Sequence, residues 1–522
     1  MSSISRALRR PVAHPLASPF SQLQIALPNE SNSTTVVVYT RPTARTMQLV
    51  PAPRLTPWSR HLPWSKQFNS RPRAVMHGKG TKERIVIIGS GWAGYKLLRN
   101  IDTERYDVVC VSPRNYFVMT PLLAASAVGT LEFRSIVEPV RKFHEPIAYH
   151  QARCDAIDFT SKTITCTSML GANLDPATAP ATSSARPAES VHAQGDVFTL
   201  AYDKIVIAPG AATNTFGVPG VKEHAHFLKD VTDARKIRSR VIDCFEKAMR
   251  PGVTEEEQRR LLHFATVGGG PTGVELSAEL HDLITEDLAT VYPTLLPLVR
   301  MTLYDVAPRI LGAFDADLAE FATKKFMRAG VQIRLGTQVR RVTETSLFVN
   351  DGEEVPYGLL VWATGITQTP LVRSLADRVQ PDYRGTHRLC TDEYLRVKGK
   401  DGQPMRDVFA LGDCAFIEGN ELPPTAQVAN QQAIHLSKQL NKFDESAVVP
   451  FSFRNRGSMA YIGGWKAIVD LPTDVHKPSG YSAWVLWRSA YLNLSVSWRN
   501  KCLIAMYWAL AAVMGRDVSR IR

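Results

Sequence analysis

The seven cysteines of this 522-residue chain include no C-x-x-C pair. Neither a zinc ribbon nor a thioredoxin-like dithiol is therefore indicated, and the scatter suits thiols that stay reduced. No run of 18 apolar residues occurs, so no ordinary membrane-spanning helix is expected. An EF-hand loop is also missing, which removes the usual signal for calcium control. Acids are scarce at the start: in the first 80 residues Glu30 stands alone against eleven Lys and Arg, for a local charge of +10. A leader of that kind, rich in Arg, Ser and Pro, reads as a mitochondrial transit peptide; a disordered basic tail is the plainer alternative.

The net charge of +13 belongs to the two ends. Residues 450–522 carry +7, which leaves −4 for the middle of the chain. A nucleic-acid partner would need basic surface on the folded body, so none is expected.

From Lys82 the pattern changes. RIVIIGSGWAGYKLLRN reads as a buried strand, a glycine turn and a helix, and YDVVCVS at Tyr106–Ser112 as the next strand. Residues 168–195, rich in Pro, Ala, Ser and Thr without periodicity, read as a loop insertion. A second strand–turn–helix, HFATVGGGPTGVELSAEL, begins at His263, with VRMTLYD ending at Asp305 and LLVWATG after it. The segments DVFALGD and AQVANQQAIHLSKQL then add a late strand and helix. One set of βαβ units interrupting another implies an α/β protein with two Rossmann-like dinucleotide-binding domains, the two-dinucleotide-binding flavoprotein fold. The expected divisions are a leader at 1–80, one dinucleotide domain from 82–250 and 376–445, the second at 258–375, and a C-terminal region at 450–522.

The chemistry sits in the turns. In the first fingerprint Gly89 permits the tight turn, Gly91 lets backbone approach a pyrophosphate, and Gly94 allows helix and strand to pack closely. The acid expected at the end of the following strand is replaced by Ser112, whose hydroxyl can bond a ribose, while Arg114 is placed for phosphate or adenine. The second fingerprint supplies Gly268, Gly270 and Gly273, and its next strand does end in an acid, Asp305. A carboxylate there accepts from a 2′-hydroxyl and repels a 2′-phosphate, favouring NADH over NADPH. By analogy with two-dinucleotide reductases the first site is for FAD and the second for NADH, and the late Gly412-Asp413 is expected at the flavin's ribityl chain and pyrophosphate.

The segments GSGWAG, SPRNYFVMTPLL, GGGPTGVE, FALGDCA and PPTAQVANQQA, in that order, resemble the type II NADH:quinone oxidoreductases, the single-chain alternative NADH dehydrogenases. The likeness runs from about Lys82 to the C-terminus. It implies non-covalent FAD, NADH as donor, ubiquinone as acceptor and no proton pumping. It also implies that Gln431 and Gln432 lie beside flavin and quinone, and that Glu275 serves near the nicotinamide or in proton delivery. The missing redox cysteine pair fits an acceptor other than a protein disulfide. A soluble acceptor of NADPH electrons is disfavoured by Asp305.

Five of the nine tryptophans fall in the last 58 residues. Trp484, Trp487, Tyr491, Leu494 and Trp498 recur at helical spacing, with Arg488, Arg499 and Lys501 among them and an apolar run at 502–515. Aromatic and basic residues on an amphipathic helix suit an interfacial anchor, here on the inner mitochondrial membrane as a peripheral protein; packing on the core is the alternative. In the resembling family such helices also pair subunits, so a homodimer is expected. The competing function is that of an apoptosis-inducing-factor-like flavoprotein, which oxidises NADH and acts through partner binding.

Overall fold

The computed structural model describes residues 82–519 except 143–146, 171–195, 351, 383–384, 443–447 and 473–476, together with 22–23 and 38–39. Nearly all of the expected transit segment and most of the 168–195 insertion lie outside the described residues. The chain divides into two units, Met1–Lys79 and Gly80–Arg522. In the first, Gln22–Leu23 pairs antiparallel with Val38–Tyr39. All that follows concerns the second.

A ten-stranded sheet forms its larger half. The centre is parallel: Pro404–Ala410, Lys204–Ile207, Glu83–Ile88, Tyr106–Ser112 and Ala148–Asp158 lie side by side. The three middle strands, Lys204–Ile207, Glu83–Ile88 and Tyr106–Ser112, are Ile- and Val-rich because helices or further chain cover both faces. Ile85 and Ile87 point into one core and Val86 and Ile88 into the other, as the two-residue period requires. At one edge Thr163–Ser168 and Val197–Ala201 continue the sheet antiparallel, setting Cys154 directly opposite Cys166.

The chain leaves this sheet through Ala211–Thr213 and returns through Ile366–Gln368, and those two segments pair as an antiparallel ribbon. Between them lies a four-stranded parallel sheet in the order Gln332–Arg334, Arg300–Tyr304, His263–Val267, Leu359–Trp362. Both sheets therefore present a strand, a glycine turn and a helix: Glu83–Ile88 into Trp92–Leu98, and His263–Val267 into Pro271–Asp282.

The C-terminal region adds the hairpin Ser458–Gly463 and Lys466–Asp470, then helices Tyr481–Leu494 and Trp498–Met514. The hairpin packs on Pro271–Asp282. Here the expected lipid-facing stripe is corrected. Trp484 and Trp487 are only 8% and 4% exposed and Tyr491 packs against the core, whereas Leu494 and Trp498 face outward, Trp498 being 81% exposed. Apolar spacing marks a helix face but not the medium that covers it. Arg488 is likewise no surface cation: its guanidinium lies 4.2 Å from the Trp484 ring centre and 4.6 Å from that of Trp508. On these two helices the exposed large apolar side chains are Tyr481, Val485, Leu486, Met506, Leu510, Val513 and Met514 besides Leu494 and Trp498. No helix among the described residues is long and apolar enough to cross a membrane.

Candidate cofactor and active site

Each glycine turn is forced by its neighbours. Gly89 has φ +102°, and a Cβ there would lie 2.2 Å from the carbonyl oxygen of Ala208. A Cβ on Gly94 would come within 1.8 Å of the oxygen of Gly89. Only glycine fits either place. Gly91 differs, because its Cβ would meet nothing within 4 Å. That open cradle, at the start of a helix without a side-chain cap, suits an incoming pyrophosphate. Ser112 is buried, its hydroxyl 2.9 Å from that of Ser90, and Arg114 is drawn to Asp230 at 2.6 Å. The hydroxyl and guanidinium expected for cofactor thus have protein partners first.

The second turn repeats the construction. Gly268 has φ +118° with its Cβ position 2.6 Å from the Ala363 oxygen, and a Cβ on Gly273 would lie 1.9 Å from the Gly268 oxygen. Gly270 is open. Asp305 follows strand Arg300–Tyr304 and accepts from the N–H groups of Gly269 and, at 2.7 Å, Ala307. The long interval before it is helical: Pro271–Asp282 runs on through a π-helical stretch, Leu283–Leu288, and two shorter turns.

Gly412 and Asp413 lie where the first fingerprint helix meets helix Ala426–Leu440. A Cβ on Gly412 would stand 3.2 Å from that of Ala429 and 3.9 Å from that of Ala93. The buried side chain of Gln432 accepts from the Gly412 N–H at 2.8 Å, so it holds this turn. Burial raises the Asp413 carboxyl, opposed by Lys229 and Arg388. Lys229, whose amine burial lowers while Asp413 opposes that shift, donates to the Ala211 carbonyl at 3.4 Å. Sequence reasoning missed Lys229, since nothing in its local pattern marks it.

Gln431 grips the entering C-terminal segment. Its amide nitrogen donates to the Arg454 carbonyl at 2.9 Å and its oxygen accepts from the Arg454 N–H at 3.0 Å. Gln427, one turn earlier, does the same for Gly457 and Arg456. The strand that follows carries Tyr461, whose N–H donates to Glu275 at 3.0 Å, and the Trp487 indole adds a second donor to the same oxygen at 3.2 Å. Glu275 is buried on helix Pro271–Asp282, and burial pushes its carboxyl up to about 8, against the pull of those two donors. The expected trio Glu275, Gln431 and Gln432 therefore divides. Gln432 fixes the Gly412-Asp413 turn, and the other two are joined by one stretch of the C-terminal region.

Comparison with known proteins bears on the family. A family model described as pyridine nucleotide-disulphide oxidoreductase matches residues 83–433, and one described as NDH2 C-terminal domain matches 455–517. The chain is 40% identical over 489 residues to an internal alternative NAD(P)H-ubiquinone oxidoreductase A1, mitochondrial, of Solanum tuberosum, covering 88% of this chain and 93% of that one. It is 38% identical to a probable NADH dehydrogenase of Dictyostelium discoideum, over 88% of this chain and 96% of the other. Among solved structures, NDH2 from Plasmodium falciparum in complex with NADH superposes with a TM-score of 0.75 at 28% identity, covering 84% of this chain and all of that one. With residues 83–433 matched by one model and 455–517 by a model specific to the NDH2 C-terminal domain, this protein belongs to the type II NADH dehydrogenase family.

Proposed function

We propose that this chain is an FAD-dependent NADH:ubiquinone reductase that moves electrons without pumping protons. The observation that carries the reading is the pair of glycine turns, each closed at two positions and open at a third, in a chain whose end matches the NDH2 C-terminal domain. That C-terminal match separates it from the apoptosis-inducing-factor-like alternative, which no comparison supports. In this reading 82–250 and 376–445 hold FAD, and 258–375 holds NADH. When bound there, FAD would supply the ring that accepts hydride and the two-electron chemistry.

The residues of the chain bind, orient and carry protons. The Gly91 and Gly270 cradles receive the two pyrophosphates, and Asp305 takes the ribose hydroxyls of NADH. Ser112 and Arg114 face the FAD adenosine side only through contacts already shared with Ser90 and Asp230. Gln432 holds Gly412-Asp413 in place. Glu275, protonated at neutral pH, gives its proton to the quinone, and Gln431 fixes the segment against which Glu275 is held. The outward apolar residues of the two C-terminal helices, Leu494, Trp498, Leu510, Val513 and Met514 among them, meet the inner mitochondrial membrane, where ubiquinone is dissolved. A homodimer through the same region is part of this reading.

Anaerobic mixing of the flavin-loaded protein with NADH should bleach the flavin absorbance, and a short-chain ubiquinone should restore it. Bleaching without recovery by quinone would defeat the proposal.

A further inference from the structure

Reduction of a quinone to a quinol takes two electrons and two protons, whereas NADH delivers a hydride, equivalent to two electrons and one proton. One proton must therefore come from water. Glu275 is only 8% exposed and one of its oxygens is held by Tyr461 and Trp487, so a neighbouring carboxyl that meets water would shorten its route to solvent. The next carboxylate on the same helix face is Glu279, one turn away, at the i,i+4 spacing that sets side chains roughly 5–6 Å apart at Cβ.

Glu279 is buried, accepts from the Thr130 hydroxyl at 2.9 Å, and lines a cleft of about 40 Å³. That is room for more than one water, each needing about 10–15 Å³ of such space. The inner wall of the cleft is Tyr461 and Trp487, the two residues that hold Glu275, and its outer wall is Arg516 and Ala512 on the C-terminal segment. Arg488 lines it too, and its Nε is buried with no hydrogen-bond partner, which leaves a donor for cleft water.

We propose that Glu279 is the relay side chain that takes the reaction's proton from water in this cleft and hands it to Glu275. After Glu275 protonates a quinone oxygen it is left ionised; Glu279 returns a proton to it and is itself reprotonated from the cleft. The inference rests on Glu275 being the donor. The groups facing Glu279 suit a side chain that both holds and yields a proton. Burial pushes its carboxyl up to about 7, Asp282 on its own helix adds to that, and Arg516, Thr130 and Arg488 pull it back. Tyr461 faces it from the hairpin with its own hydroxyl held neutral, and Glu286 closes the rim.

The test uses the full-length, flavin-loaded protein and follows the two half-reactions separately by stopped flow. In E279Q the flavin should be reduced by NADH at the parent rate but reoxidised by short-chain ubiquinone roughly tenfold or more slowly at alkaline pH. Small weak acids such as acetic acid should restore the rate, and E279D should retain most of it. Plugging the rim with A512F, which leaves both carboxyls intact, should slow reoxidation in the same pH-dependent way and so serves if E279Q fails to hold flavin. Reoxidation of E279Q or A512F at the parent rate, with an unchanged pH profile between about pH 6 and 9, overturns the relay. So does a slowing that neither weak acids nor E279D relieves. E275Q distinguishes the two readings: if it is slow while E279Q is normal, the relay alone is lost; if E275Q is normal, the donor assignment fails and the relay with it.

Discussion

The two glycine turns are built alike and differ where they meet the end of the next strand. In both, the first glycine N–H donates to the neighbouring strand at 2.8 Å, to Val111 in one and Tyr304 in the other. Ser112 and Asp305 are thus equivalent positions, and so are Ser90 and Gly269. In the first turn a small strand-end serine leaves space for Ser90, and the two hydroxyls bond. In the second the carboxylate reaches the turn itself, and a Cβ at Gly269 would lie 2.9 Å from its oxygen. The choice of acid or hydroxyl at the strand end therefore dictates the residue inside the turn. Two positions into each helix past the last glycine the pair diverges again: Lys96 in the first, Glu275 in the second.

The comparison can be broken first at its shared glycines. G94A and G273A each drive a methyl group into a carbonyl oxygen, a strain of about 1–3 kcal/mol. G94A should be isolated without flavin. G273A should keep its flavin absorbance yet show no bleaching by NADH. Flavin loss from both variants would mean the two sites are not separable.

Glu275 tests the second divergence. E275Q should lower the quinone half-reaction by roughly a hundredfold, and the decline in rate expected of the parent as pH rises past about 8 should be absent from it. It should also stabilise the fold. The unfolded chain releases the carboxyl proton near its ordinary value of 4.5, while the folded chain keeps it to about 8. Folding is thus unpenalised below the first value and progressively penalised up to the second. Thermal melts should show E275Q gaining about 1–3 kcal/mol at pH 8 and nearly nothing at pH 4.

A subtler exchange probes the strand ends. G269S should raise KM for NADH roughly ten- to hundredfold by crowding Asp305. Adding D305S should relieve the crowding, as Ser90 and Ser112 coexist in the first turn, and should narrow the preference for NADH over NADPH. A double variant as crowded as the single would refute the equivalence. The smallest effect is expected at the late helix. Q432A orphans the Gly412 N–H at a cost of about 1–3 kcal/mol and should speed flavin loss, whereas Q431A should loosen only residues 454–457, seen as faster amide exchange there.

The turns were legible in the sequence because the spacing of their glycines is fixed by backbone contact. The strand Tyr106–Ser112 and the helix Ala426–Leu440 read directly from their periods. What periodicity could not supply was direction. Trp484 and Trp487 have the spacing of a membrane face, yet both turn inward, where the Trp487 indole meets a buried carboxylate. Partners far apart in the chain were equally hidden: Gln431 with Arg454, Lys229 with Asp413, and Cys154 with Cys166 across two strands. Cys154 and Cys166 show that the lack of a C-x-x-C motif is not a lack of neighbouring thiols, although this pair lies at the sheet's edge rather than at a glycine turn.

One consequence concerns how the chain comes to be made. Helix Pro271–Asp282 carries Glu275 and Asp282, whose partners Tyr461, Gly464 and Trp487 are synthesised some two hundred residues later. Until those residues emerge, the carboxylates stand in water and ionise, and the half-made protein wears a negative face where it will later be dry. The site closes only once Arg516, far downstream in the chain, reaches Glu286 and Asp287. A prematurely ended chain is thereby left open and without its seal.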